Sequence, residues 1–323
     1  MVSSSSIESP KSEDRNIRSI AYFGMTWSDI QDPTKNDLET LSHDYNFHSF
    51  DLDSCLSTSQ LTKIEDHGDH FFIMLQIPSQ VNQGIIGSNQ LSIFLGRDFL
   101  VTLHPSSLKT ISELFQSCHD DEKRRSNIMK SPAYLAYCLI DAMSDQISAI
   151  LDNEQIALNS IEAVVFDEKK SSARAINVAR RQIAILRRIV YPLDLYIGDI
   201  GTVQKFSEED LSIYLNDVRH KVGKISARIE EMKEIVEIYN DTDFVTSSNR
   251  TNTVLSILTL IFTLTLPAAL IAAFYGMNIP IPGALVPGAL SFFGTYTSLL
   301  IVTVLMIIPT AIMVAYFKRR GWF

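Results

Sequence analysis

The chain has 323 residues, 20% of them charged and 46% hydrophobic, with a formal net charge of −9, which is long enough for two domains. The average hides a division: no Asp, Glu, Lys or Arg occurs from Thr251 to Phe317, so with Lys318, Arg319 and Arg320 set aside the first 250 residues carry −12. A body this acidic argues against nucleic acid or anionic lipid as a partner and attracts cations.

Residues 1–15 read as a disordered tail, because Met1-Val-Ser-Ser-Ser-Ser-Ile-Glu-Ser-Pro10 has neither the basic start nor the apolar core of a signal peptide. Short β-like runs follow at Ile17–Phe23, Phe71–Ile77, Leu91–Leu95 and Phe99–Leu103, broken by Gly68, Pro78, Gly84, Gly87 and Gly96. With helical patterns between them, they predict a small α/β domain over residues 16–125. Inside it, Glu65-Asp66-His67-Gly68-Asp69-His70 resembles a metal cluster by composition, but without the HExxH spacing it reads as a polar turn before the Phe71 strand. Asp120-Asp121-Glu122-Lys123-Arg124-Arg125 reads as a solvated loop. Cys55, Cys118 and Cys138 fit neither a disulfide framework nor a zinc spacing, which suits a reducing, cytoplasmic setting.

From about Pro132 the pattern is helical, giving a bundle and stalk over residues 126–250. Ala133–Val165 and Ala173–Ile200 are expected as an antiparallel pair around Asp167-Glu168-Lys169-Lys170-Ser171. Ser207-Glu208-Glu209-Asp210 looks like a capping box, and behind it Leu211, Leu215, Val218, Val222, Ile225, Ile229, Met232, Val236 and Tyr239 alternate in steps of four and three. That is a heptad seam. Only Gly223 interrupts it, so one helix from Glu208 to Asn278 is expected, about 105 Å long at ~1.5 Å per residue.

Val254–Tyr275 and Ser298–Phe317 lack charge and are long enough to cross a bilayer, which defines a two-helix membrane domain at residues 251–317 with a basic tail at 318–323. Arg250 precedes the first span and Lys318, Arg319 and Arg320 follow the second, whereas the linker between has no basic residue, so both termini are placed in the cytoplasm. Tyr275, Tyr296, Tyr316 and Trp322 fall near the expected interfaces. Two helices cannot enclose a wet path, so conduction requires a ring of subunits with one span from each lining the centre. Counting back from Asn278 along one helical stripe gives Ala273, Ala269, Leu266, Phe262, Leu258 and Leu255, where Leu255 and Leu258 can form a dewetting constriction. No GxxxxGK[ST] occurs, so no nucleotide is implied, and no nucleophile/base set marks an enzyme.

Tyr275-Gly276-Met277-Asn278 at the outer end of the first span, a short loop, a last span and the tail Phe-Lys-Arg-Arg-Gly-Trp-Phe at 317–323 together resemble the CorA family of Mg²⁺ channels. Asn252, Pro267, the stretch Lys63–Leu75 and the stretch Phe94–His104 extend the resemblance over essentially the whole chain. The resemblance implies an α+β protein, with its α/β domain and long stalk continuous with the first span, assembled as a funnel-shaped homopentamer in the plasma membrane. It implies a selectivity filter at Tyr275, Gly276, Met277 and Asn278, and a pore lined from Asn252 upward. It further implies Mg²⁺ as both cargo and regulator, with Asp217 and Asp241 at regulatory positions between subunits, and Lys318, Arg319 and Arg320 as a basic ring. Two departures stand out: Ala269 replaces a pore threonine common in relatives, and the loop Ile279–Gly288 lacks acidic residues. Transport of Zn²⁺, Co²⁺ or Ni²⁺, efflux by the same architecture, and a membrane-anchored cytoplasmic sensor remain as alternatives.

Overall fold

The computed structural model describes residues 16–57, 62–81, 85–167, 172–277 and 297–320, so the expected tail at 1–15 lies outside the described residues. The chain divides into two compact units, Met1–Asp243 and Phe244–Phe323.

The first unit is built on a six-stranded sheet in the order β1-β2-β6-β5-β4-β3. Its strands are β1 (Ile17–Tyr22), β2 (Met25–Gln31), β3 (Lys63–Asp66), β4 (Phe71–Val81), β5 (Ile85–Leu95) and β6 (Phe99–His104). β2 and β6 run parallel; the other neighbours are antiparallel. A continuous apolar run becomes a strand here because successive side chains point to opposite faces and both faces are covered. Phe71, Ile73, Leu75 and Ile77 enter the core beneath the long helices. Phe72 and Met74 enter a second core shared with α1 (Lys35–Tyr45) and α2 (Ser49–Leu56).

Two strands were invisible to an apolar pattern. β3 is short and charged, and in β2 the residues Thr26, Ser28 and Asp29 interrupt the alternation. The buried polar groups of β2 are retained because they are bonded. Asp29 accepts from the Thr102 hydroxyl at 2.7 Å, from His104 Nε2 at 3.1 Å and from Arg18 at 2.5 Å. Trp27 Nε1 donates to Thr102 Oγ1 at 3.1 Å. Burial raises the Asp29 pKa, but the hydrogen bonds and charge of His104, with Thr102 and Arg18, outweigh it and leave the carboxyl below its ordinary range.

Pro78 and Gly87, expected as breaks, lie inside paired strands, opposite Ser88 and Ser79. β3 pairs with Phe71–Met74, so among the described residues β4 has a strand neighbour on one side alone at Pro78, the edge condition that proline tolerates. The Asp120–Arg125 segment is not a loop: α3 (Lys109–Asp120) passes almost directly into α4 (Glu122–Ile128). Asp121 caps α4 by accepting from the Lys123 N–H at 2.9 Å, and Arg125 Nε donates to the Cys118 carbonyl at 2.7 Å.

α5 (Pro132–Val165) starts where Ser131 accepts from the Tyr134 N–H at 3.1 Å, with proline in the first turn. α6 (Ala173–Tyr196) ends earlier than expected and yields to a 3₁₀ segment, Asp199–Phe206. α7 runs from Ser212 to Tyr275. It starts later than the capping-box pattern suggests, because Gln204 holds residues 207–211 in a non-helical path. Its Oε1 takes the Leu211 N–H at 2.7 Å and its Nε2 donates to the Glu209 carbonyl at 2.6 Å, while Asp210 accepts from the Ser212 N–H at 2.9 Å. The heptad seam from Leu211 to Tyr239 is buried throughout, in one core with α5 and α6 of the same chain.

The second unit holds the rest of α7 and α8 (Thr297–Arg319). Both helices are long and apolar enough to cross a membrane, and Pro267 and Pro309 lie within them.

The β2 network generates a prediction. A carboxylate whose folded pKa is depressed stabilises the fold above its unfolded pKa and loses that contribution as pH falls through the folded value. Asp29→Asn should lower stability by about 3 kcal/mol at neutral pH, leaving Arg18 without a counter-charge and His104 Nε2 without its carboxylate partner. The gap to wild type should close below roughly pH 4, as measured by denaturant unfolding of the purified protein.

Candidate functional site

α7 carries most of the residues singled out by the sequence, and its two parts have opposite surroundings. In the first unit, its polar face is tied to its neighbours by ion pairs. Lys221 reaches Asp141 at 2.6 Å and Asp145 at 2.5 Å on α5, Arg228 reaches Asp152 at 2.8 Å, and Arg187 of α6 pairs with Glu230. Lys221, holding two carboxylates, has its pKa raised by those bonds against a burial effect that lowers it.

Asp217 is exposed, one turn before Lys221. Beside it Tyr134, Tyr137 and Tyr214 form an aromatic cluster with ring centroids 5.2 to 5.5 Å apart. The Tyr137 hydroxyl is pushed up to about 12, first by burial and then by the negative field of Asp141, Cys138 and Asp217. So the surroundings of Asp217 include two carboxylates that the sequence reading did not single out, Asp141 and Asp145. Their spacing of four on one helix face was the available signal. Asp241 is also exposed, whereas Asp243, two residues on, accepts from the Ser172 hydroxyl and from its N–H at 3.4 Å. Of this acidic pair, one is committed to the fold and the other faces outward.

Beyond Thr253 the helix turns apolar and, among the described residues, stays largely exposed. Asn252, Leu255, Leu258, Phe262, Leu266, Ala269 and Ala273 are exposed, as are most residues around them. Leu260, Thr263, Leu264, Pro267, Ala268 and Ile271 are half-buried, so the candidate pore stripe lies off the covered side of the helix. On α8, Val302, Met306, Pro309, Thr310, Met313 and Phe317 repeat the half-buried pattern at helical spacing. Threonine hydroxyls within the apolar part, at Thr263 and Thr265, bond back to carbonyls one turn earlier at 2.7 and 2.8 Å, so they add little polarity to the surface.

α7 ends at Tyr275. The Gly276 N–H donates to the Ala272 carbonyl at 2.9 Å and the Met277 N–H to the Phe274 carbonyl at 3.4 Å, closing the last turn. A Cβ on Gly276 would sit 3.1 Å from the Ala272 oxygen, tighter than side chains normally approach, which gives a local reason for glycine there. Asn278, the intended filter residue, and the loop after it lie outside the described residues. At the far end of α8, Lys318, Arg319 and Arg320 are exposed, with the Arg320 guanidinium 5.7 Å from the Tyr316 ring.

Residues 23–319 match the family described as CorA-like Mg²⁺ transporter protein. The chain therefore belongs to the CorA family of divalent metal ion transporters. It is 25% identical over 303 residues to the cobalt/magnesium transport protein CorA of Thermotoga maritima, covering 92% of this chain and 83% of that one. It is 23% identical over 246 residues to the divalent cation transporter CmaX of Pseudomonas aeruginosa, covering 74% of this chain and 72% of that one. Among solved structures it resembles the CorA magnesium transporter of Methanocaldococcus jannaschii, with a TM-score of 0.77 at 19% identity, covering 98% of this chain and 96% of that one.

The crowding at Gly276 makes a prediction for a family of transporters. Gly276→Ala should leave the helical circular dichroism unchanged while lowering metal ion flux roughly tenfold, the equivalent of about 1.4 kcal/mol in the barrier. Flux into vesicles holding a metal-sensitive dye is the measurement.

Proposed function

We propose that the chain is one subunit of a homopentameric, funnel-shaped channel in the plasma membrane that admits hydrated Mg²⁺ down the membrane potential, with both termini in the cytoplasm. The observation that carries this reading is the position of Gly276-Met277-Asn278 at the end of a charge-free, uncovered helix that continues without interruption from an acidic body. A pentamer supplies what two helices lack, an enclosed wet path. The first span lines it through Asn252, Leu255, Leu258, Phe262, Leu266, Ala269 and Ala273.

Mg²⁺ binds its octahedral water shell tightly and sheds it reluctantly. A ring of Asn278 carboxamides, backed by Tyr275, Gly276 and Met277, would accept hydrogen bonds from the coordinated waters without stripping the ion. Neutral oxygens let the ion leave again. With Ala269 where relatives have threonine, a second polar ring below the filter is not expected. Entry needs no nucleotide, since a divalent cation gains about 4.6 kcal/mol in crossing 100 mV inward.

A passive path needs a gate. Five bodies of −12 each repel one another unless cations intervene. Mg²⁺ held at Asp217 and Asp241 would bridge neighbouring subunits and keep the Leu255 and Leu258 constriction closed, and its loss at low internal Mg²⁺ would release it. The exposure of both carboxylates supports this assignment, as does the local acidity at Asp141 and Asp145. Lys318, Arg319 and Arg320 form the basic ring at the cytoplasmic mouth.

Growth of a Mg²⁺-starved, transporter-deficient strain tests the reading. Wild type should restore growth and Asn278→Ala should not, with Mg²⁺ uptake falling tenfold or more, on the order of 1.4 kcal/mol. Equal rescue by the variant removes the filter assignment. Wild type that fails on Mg²⁺ but accumulates or expels Co²⁺, Ni²⁺ or Zn²⁺ selects the alternative cargo. Separately, Asp217→Ala with Asp241→Ala should keep vesicle uptake running at internal Mg²⁺ levels that shut the wild type. Unchanged shut-off would place the regulator elsewhere.

A further inference from the structure

The stretch from Glu65 to His70 gains a partner on folding that its spacing does not show. β3 ends at Asp66, and the chain turns with the His67 N–H donating to the His70 carbonyl at 3.0 Å and Gly68 at φ +91°. This places the His67 imidazole against Asp51, in the first turn of α2. Asp51 Oδ2 lies 2.8 Å from His67 Nε2, and Glu65 Oε2 lies 4.0 Å from the same nitrogen. Donor atoms from Asp51, Glu65 and His67 all fall within 4.8 Å of one another.

The Asp51 side chain is only 2% exposed, yet its Oδ2 has no aligned hydrogen-bond donor; the short contact to His67 lacks the geometry of a hydrogen bond. A buried carboxylate oxygen left this way costs about 1–3 kcal/mol or more, and a bound cation is one means of satisfying it. Nearby, His70 Nε2 is buried and likewise unbonded, while its Nδ1 is taken by Asp69 at 2.7 Å; the His67 and His70 rings are 4.9 Å apart. Lys63 occupies the other side of the cluster, with Nζ 3.4 Å from Asp51 Oδ1 and 3.0 Å from Glu65 Oε2. It offsets part of the negative charge and leaves Asp51 Oδ2 directed at the imidazole.

We propose that Asp51, Glu65 and His67 bind a borderline first-row divalent cation of the Co²⁺, Ni²⁺ and Zn²⁺ group, at a site independent of any pore. The imidazole decides the class: Mg²⁺ takes oxygen ligands and keeps its water, whereas imidazole suits these metals. Two ligands at about 2.0–2.1 Å from a tetrahedral Zn²⁺ stand roughly 3.3 Å apart, so the separations at His67 Nε2 bracket the requirement from either side. Three protein donors leave the remaining position to water. The ammonium of Lys63 weakens the site, because like charges repel the incoming ion.

The full-length protein, purified in detergent and stripped with chelator, is titrated with Co²⁺ alone in excess Mg²⁺, following the visible d–d absorption and the bound metal by equilibrium dialysis. One Co²⁺ per chain should survive the Mg²⁺, and Asn278→Ala should bind it as wild type does. Asp51→Asn and His67→Gln should each weaken it tenfold or more, with melting curves confirming that both fold, and Lys63→Met should tighten it. Wild type that takes up no Co²⁺ in excess Mg²⁺, or an affinity that none of the three substitutions at Asp51, Lys63 and His67 moves, overturns the site and leaves only an ion-pair cluster.

Discussion

The structure depends on one helix that has to satisfy two solvents. Apart from the break at Pro267, the interior peptide groups of α7 bond within the helix, so its side chains decide where it can exist. From Leu211 to Tyr239 the apolar residues form a stripe that α5 and α6 cover, and the polar remainder is paired or hydrated. After Arg250 the stripe gives way to an apolar surface with no charge until Lys318. Large exposed side chains such as Ile257, Phe262, Leu266 and Ile308 are unfavourable in water at this density, in keeping with two helices long and apolar enough to cross a membrane.

The acidic body is the other half of the design. Its ion pairs are selective: Lys221 bridges Asp141 and Asp145 and leaves one net negative charge there, Arg228 pairs with Asp152, and Arg187 meets Glu230. Asp243 is used to fix the start of α6, while Asp217 and Asp241 face outward. A protein that handles divalent cations benefits from such leftover charge, since a cation then has something to gain by binding. The two cation chemistries assigned to this chain are different in kind. At the proposed filter, neutral oxygens meet an intact water shell and hold it weakly. At Asp51, Glu65 and His67, charged oxygens and a nitrogen are placed to enter the inner coordination sphere, which selects softer metals and slows their release.

Patterns that depend on neighbours along the chain were legible without coordinates. The heptad seam of α7, the charge-free segments that become the apolar helices, the two long helices before them and the Gly-Met-Asn signature with its flanks are all local or periodic, because each residue's role repeats at a helical period or sits at a fixed offset. What remained hidden depended on contacts across the fold. β2 escaped notice because its polar residues are buried only through Thr102, His104 and Arg18. Pro78 read as a break because an edge strand cannot be told from a central one in sequence. The start of α7 was moved by Gln204, whose amide competes for the same N–H that a cap would free. The sequence by itself therefore determined the division into an acidic body and an apolar helix pair, and the family signature, since both are written in composition and spacing. Only the tertiary structure decided which carboxylates are used up and which stay open, and that Asp51 stands against His67, because charge pairing is settled by which helices and strands the packed core brings within a few ångströms.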